Sequence, residues 1–167
     1  MHETDTLQRL FRYKASANHE VLTTMKQFQD GSPAREIALR VLNHTFIVDR
    51  IFAANLTRTD HGYTSPNDGQ GPTLEELSEA IRESDRWYID YVAGLGSGQL
   101  AEQIDFAFTD GKPGRMSRQE MLMHVTIHGE YHRGQIGILM MQNSITPTDD
   151  GFTTYLHTTE AASRRRG

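Results

Sequence analysis

The sequence predicts an all-α chain folded as a four-helix bundle, and three observations carry that prediction. Four long stretches place apolar residues three and four apart, the spacing of a helix that buries one face. Ser32-Pro33, "TLEE" at 73–76 and "SRQE" at 117–120 are helix-start signals. Turn-forming residues collect between these stretches, and four amphipathic faces are most simply buried against one another. With 167 residues, the chain is expected to form one domain over 1–167 around a single core.

The first helix spans about 4–28, with Leu7, Leu10, Phe11, Lys14, Val21, Leu22, Met25 and Phe28 on its periodic face. "DGSP" at 30–33 breaks it, and Ser32 as N-cap with Pro33 at the first helical position opens the second, 33–57. The inward stripe there reads Ile37, Val41, His44, Val48, Ile51 and Asn55. So short a connection predicts that helices 1 and 2 are antiparallel neighbours. Residues 58–72, "RTDHGYTSPNDGQGP", form a polar loop. At ~3.3 Å per residue its 15 residues reach about 50 Å, beyond the length of a 23-residue helix at about 35 Å. A parallel pairing of helices 2 and 3 is therefore permitted, though not required.

Thr73 to Glu76 opens the third helix, 73–95, and "GLGSG" at 94–98 ends it. "IDFAF" at 104–108 alternates apolar and polar residues before an Asp110-Gly111 turn, which predicts a short β-hairpin between helices 3 and 4, weakened at Pro113. Ser117 to Glu120 opens the fourth helix, 117–143. From Ser144 the chain reads as a polar tail with a short turn near Phe152 to His157. Arg164 to Arg166 reads as its frayed, solvated end.

Composition narrows the function. A formal charge of -5 argues against a nucleic-acid partner, which calls for a basic face. No signal peptide and no membrane-length apolar run is seen, and cysteine is absent, so a cytoplasmic location is expected. Eight histidines and no cysteine mean that any transition-metal site must be built from imidazole and oxygen.

Four histidines occupy slots that belong to the core. His44 lies on the inward stripe of helix 2; His124, His128 and His132 follow one stripe of helix 4. One buried histidine is usually a hydrogen-bonded core residue, but several converging on one cavity would be satisfied together by a metal. Residues four apart rise about 6 Å and can share an ion, whereas His124 and His132, about 12 Å apart, cannot both reach one at ~2.1 Å. The spacing leaves 124/128 and 128/132 open, with His128 in either pair and His44 as the natural third ligand. Three histidines leave coordination positions free, the pattern of a catalytic site. In "HGEYH" Gly129 follows the first histidine and Glu130 points away from both, which rejects the zinc-protease arrangement.

The segments "LNHTFIVDRIFAANL" (42–56), "MLMHVTIHGEYHRGQIGILMMQ" (121–142) and "TDDGFTTYLHTTE" (148–160) resemble the DinB family of damage-inducible proteins, within the DinB/YfiT-like four-helix-bundle superfamily. The resemblance extends over essentially the whole chain. It implies an up-down-down-up bundle and a divalent metal, zinc or nickel, held by His44, His128 and His132. His124 would be a pocket neighbour and not a ligand. It further implies a homodimer and a thiol-dependent transferase that takes a low-molecular-weight thiol and a small-molecule substrate at the metal. With no cysteine in the chain, the reacting sulfur would have to arrive with that thiol. The competing expectations are a non-enzymatic stress protein with a structural metal and a metal-free bundle lined by histidines.

Other residues carry plainer readings. Gly129, Gly134 and Gly137 are expected at close helix contacts or a dimer interface. Arg133 and Gln135 either solvate or bond a neighbouring helix, or else contact substrate or orient a ligand histidine. Asp49, about 140° around helix 2 from His44, is expected in a salt bridge. Trp87, Tyr88 and Tyr91 are read as core or interface, and His2, His19, His61 and His157 as surface or pocket residues.

Overall fold

Three of the long helices begin where a side chain satisfies one of the first backbone N–H groups. In the computed structural model, which describes residues 3–67 and 71–164, α1 (Glu3–Thr24) runs into a 3₁₀ turn at Met25–Gln27. Ser32 Oγ then accepts the Arg35 N–H at 3.3 Å and caps α2 (Pro33–Thr57). Thr73 and Glu76 bond reciprocally, at 3.2 and 2.9 Å, to open α3 (Leu74–Ala93). Gly94 ends α3, and a single short turn of helix follows, α4 (Ser97–Leu100). Strands β1 (Gln103–Ala107) and β2 (Pro113–Ser117) pair antiparallel, with Phe106 opposite Gly114. A second capping box, Ser117 with Glu120, starts α5 (Arg118–Gln142). The chain closes with α6 (Phe152–Thr159) and α7 (Ala161–Arg164). His2, Arg165 and Arg166 lie outside the described residues.

The composition of the two core clusters gives the helix directions. One cluster joins Leu7 and Phe11 at the start of α1 to Phe52 and Leu56 at the end of α2, Tyr88 and Val92 at the end of α3, and Met121, Leu122 and Val125 at the start of α5. The other joins the end of α1 (Val21, Leu22) to the starts of α2 and α3 (Ala38, Leu42; Leu74, Leu77) and the end of α5 (Ile136, Met140). Hence α1 and α5 run one way, α2 and α3 the other, in the order up, down, down, up.

Helix adjacency differs from the expectation drawn from loop length. Helix α1 packs on α3 and α5, and α2 packs on α5 and α3, so α1 and α2 are antiparallel but sit diagonally in the bundle. A short connection fixes opposite directions; it does not fix which faces meet. The inward stripe of α2 is corrected at its first position: Ile37 is 39% exposed, and Ala38 and Leu42 are the buried residues there.

The centre of the bundle is charged. Lys14, fully buried, donates to Asp49 Oδ2 at 2.6 Å and Asp85 Oδ1 at 2.8 Å. Asn18 Nδ2 donates to Asp85 Oδ2 at 2.9 Å, and Asn18 Oδ1 accepts from Arg133 at 3.2 Å. Arg133 in turn donates from Nε to Asp150 Oδ2 at 2.6 Å, and Asp150 also accepts from the Tyr13 hydroxyl. The polar tail is thus a docked segment: Phe152 and Tyr155 pack on Tyr13, and Glu160 pairs with Arg9. Arg164, read as frayed, pairs with Glu160 at 2.8 Å.

Of the three glycines in α5, Gly129 meets the close-packing expectation. A methyl group there would come within 3.2 Å of Arg133 and 3.4 Å of the Lys14 side chain. Gly134 is exposed with nothing within 4 Å, and Gly137 makes only ordinary contact with Pro147. Tyr88 is fully buried and stacks on Phe11 at 5.0 Å, while Trp87 and Tyr91 pack partly buried against the same cluster. Of the other histidines, His19 and His157 are exposed and His61 is half-buried.

Candidate metal centre

Helices α2 and α5 pack side by side, which sets His44 across from the His128–His132 turn. The three imidazoles are half-buried and meet through their Nε2 atoms. His128 Nε2 lies 3.2 Å from His44 Nε2 and 3.0 Å from His132 Nε2. Two of the rings are held from behind. His44 Nδ1 donates to the Pro66 carbonyl at 3.0 Å, and His132 Nδ1 donates to Gln135 Oε1 at 2.8 Å. A neutral imidazole carries one proton, so both Nε2 atoms present bare lone pairs. His128 can place a proton toward one neighbour but not toward both, and its own Nδ1 is buried without a partner among the described residues.

Charge does not resolve the crowding. Burial, followed by repulsion from His132, His124, His44 and Lys14, pushes His128 down to about 3. His132 is also lowered, chiefly by burial and against the Gln135 hydrogen bond. Histidines kept neutral are metal ligands in waiting. With bonds of ~2.1 Å, neighbouring ligand atoms stand about 3.0 Å apart in an octahedral shell and about 3.4 Å apart in a tetrahedral one. The two close distances fall in that interval, so the donor set fits one divalent transition-metal ion.

The other candidates separate clearly. His124, one turn before His128, stacks between Phe52 (4.6 Å) and His128 (5.4 Å) and is absent from the converging group. Asp49 is taken by Lys14, as its position on α2 suggests. Arg133 is buried and bonds Asn18 and Asp150, whereas Gln135 hydrogen-bonds a histidine of the cluster. Glu130 is exposed. The part played by the Pro66 carbonyl had no signal in the sequence, because a backbone group in an irregular loop has no side-chain signature.

Beside the cluster lies a cleft of about 250 Å³. Its walls come from Val48, Ile51 and Phe52 on α2 and from Phe106 and Phe108 on the hairpin; His124 and His128 close one side. The alternation of "IDFAF" foretold the strand but not that its phenylalanines line a cleft with two of the histidines.

Fold and site together define a helical bundle carrying a three-histidine cluster compatible with a divalent metal. The chain belongs to the DinB family, whose model matches residues 1–165. Among solved structures it is similar to a DinB-like protein from Bacillus cereus ATCC 10987, with a TM-score of 0.65 and 19% identity over 86% of this chain and 95% of that one. No curated protein matches its sequence. Among the described residues, no helix is long and apolar enough to cross a membrane.

Proposed function

We propose that His44, His128 and His132 bind one divalent metal ion, zinc or nickel, and that the protein is a thiol-dependent transferase acting at that ion. The observation that carries the reading is the meeting of three Nε2 atoms, two of them held as lone-pair donors from behind. A metal ion bound there would lower the pKa of a coordinated thiol and so activate it as a nucleophile. The chain contributes no cysteine, so that thiol would be a low-molecular-weight one. The half-buried ligands and the adjoining cleft favour catalysis over a purely structural ion, which would sit in a closed shell.

A homodimer is part of the reading. Met123, Ile127, Tyr131, Ile138 and Met141 are all at least 43% exposed along one side of α5, and Gly134 lies in the same stripe. An apolar row of that length on a soluble helix is characteristic of an interface. Sedimentation of wild type and Tyr131→Glu checks this: a dimer reduced to monomer by the variant is expected, and a monomeric wild type would contradict it.

Elemental analysis of untagged protein tests the metal assignment. About one ion per chain is expected in the wild type and in His124→Ala, with loss in His44→Ala. No ion in any of them after reloading with zinc or nickel would remove the basis for the transferase reading. With metal in place, an unchanged thiol pKa on titration would point to the structural role.

A further inference from the structure

The cleft beside the histidines is a specific container. Rings succeed one another along it: Phe108 meets Phe106 edge-on at 5.0 Å, Phe106 faces Phe52 at 6.4 Å, and Phe52 stacks on His124 at 4.6 Å. The Phe106 wall is fixed by its strand partner. A methyl group added at Gly114 would come within 2.5 Å of the Phe106 ring, so the ring lies across β2 only because that position is glycine. Phe108, 52% exposed, stands beside the opening as a large apolar side chain that a bound molecule would cover. Among the described residues, no Asp, Glu, Lys or Arg lines the cleft. A charged group entering it would lose water without gaining a counter-charge.

The polar side chains among its lining residues are Asn55, Thr109, His124 and His128. Asn55 lines the cleft, and its Nδ2 is buried with no hydrogen-bond partner among the described residues. A buried amide donor is rarely left unsatisfied, and an orphan of this kind calls for an acceptor. Size sets a second limit. An apolar cavity of about 150 Å³ admits benzene, so about 250 Å³ accommodates one aromatic ring with a few further heavy atoms.

From these features we infer that the cleft binds a neutral molecule made of one aromatic ring and a short substituent, with a carbonyl-type acceptor that takes the Asn55 Nδ2 hydrogen. The inference deepens the transferase reading, because His128 lines both the cleft and the histidine cluster. Binding itself rests on Asn55 and the ring-lined walls and needs no ion.

The probe is a matched pair, acetophenone and ethylbenzene, alike in ring and length but differing in the carbonyl. Each is titrated into isotopically labelled full-length protein while backbone amide resonances are followed. Acetophenone is expected to shift amides within 48–55 and 106–109 and to bind about tenfold tighter than ethylbenzene, the worth of one net hydrogen bond. In Asn55→Leu the hydrocarbon still binds and the preference disappears. In His44→Ala the preference persists. Equal binding of the two probes by the wild type, or shifts that avoid those amides, would overturn the inference. So would a preference lost in His44→Ala, which would place the carbonyl at the metal and not at Asn55. Metal content measured on the same samples decides the metal assignment separately, so failure of one does not imply failure of the other.

Discussion

Two polar regions lie inside this bundle, and they are completed in opposite ways. The Lys14–Asp49–Asp85 group holds one cation between two carboxylates, with Asn18 spanning from Asp85 to Arg133 and on to Asp150. Its two cations and three carboxylates are partnered by one another and by Asn18, apart from Asp49 Oδ1, which has no partner among the described residues. The histidine cluster brings three Nε2 atoms together at 3.0 and 3.2 Å, with two of the rings held through hydrogen bonds at Nδ1. The first is a network that holds helices together; the second would be completed by the proposed metal ion. Burial of polar groups alone does not distinguish a structural core from a site. The balance of donors and acceptors does.

Breaking the closed network is expected to have the largest effect. Lys14→Met leaves two buried carboxylates facing each other, and a buried pair broken on one side typically costs about 3–5 kcal/mol. Urea unfolding would show it; a loss under about 1 kcal/mol would mean that water reaches the network. The open cluster should respond differently. Gln135→Leu removes the acceptor behind His132 but lies on an exposed position, so unfolding of the metal-free protein changes little while metal affinity falls about 10- to 100-fold. Competition with a chromophoric chelator measures this, and Gln135→Glu, which keeps an acceptor, should recover most of it.

Acid sharpens the contrast through sign. His128 is pushed down to about 3 from an ordinary 6.5, so between those values the unfolded chain binds more protons than the native one. Its contribution to stability is whole above about 6.5 and is lost as pH falls toward 3. Asp49 acts oppositely. Burial raises it to about 6 against the lowering by Lys14, so its native form takes up protons first and stability gains as pH falls through that range. Metal-free protein should therefore melt at lower temperature at pH 5 than at pH 7, and His128→Gln should flatten the fall. A flat wild-type profile would contradict the lowered His128.

Local features were the legible ones. The caps at Ser32, Thr73 and Ser117 depend on residues three apart, and each forms as its sequence predicts. Ser117→Ala is expected to cost about 1 kcal/mol, the smallest effect among these variants. The meeting of His44 with His128 and His132 was legible too, since i,i+4 spacing and inward periodicity narrowed the pairs and the DinB resemblance selected one. Burial of Asp85 and Arg133 was not, because charged residues are ordinarily exposed and their partners lie 71 and 17 residues away. Docking of the tail was hidden for the same reason: it turns on Asp150 reaching Arg133 and Tyr13 across the fold.

Thermal unfolding with and without zinc, on wild type and His128→Ala, tests the central claim most directly. One equivalent of zinc should raise the melting temperature of the wild type by several degrees through binding to the native state, and leave His128→Ala unmoved. If zinc and nickel both leave the wild type unchanged, or stabilise His128→Ala equally, the three histidines are not completed by a cation and the two polar regions do not differ as described.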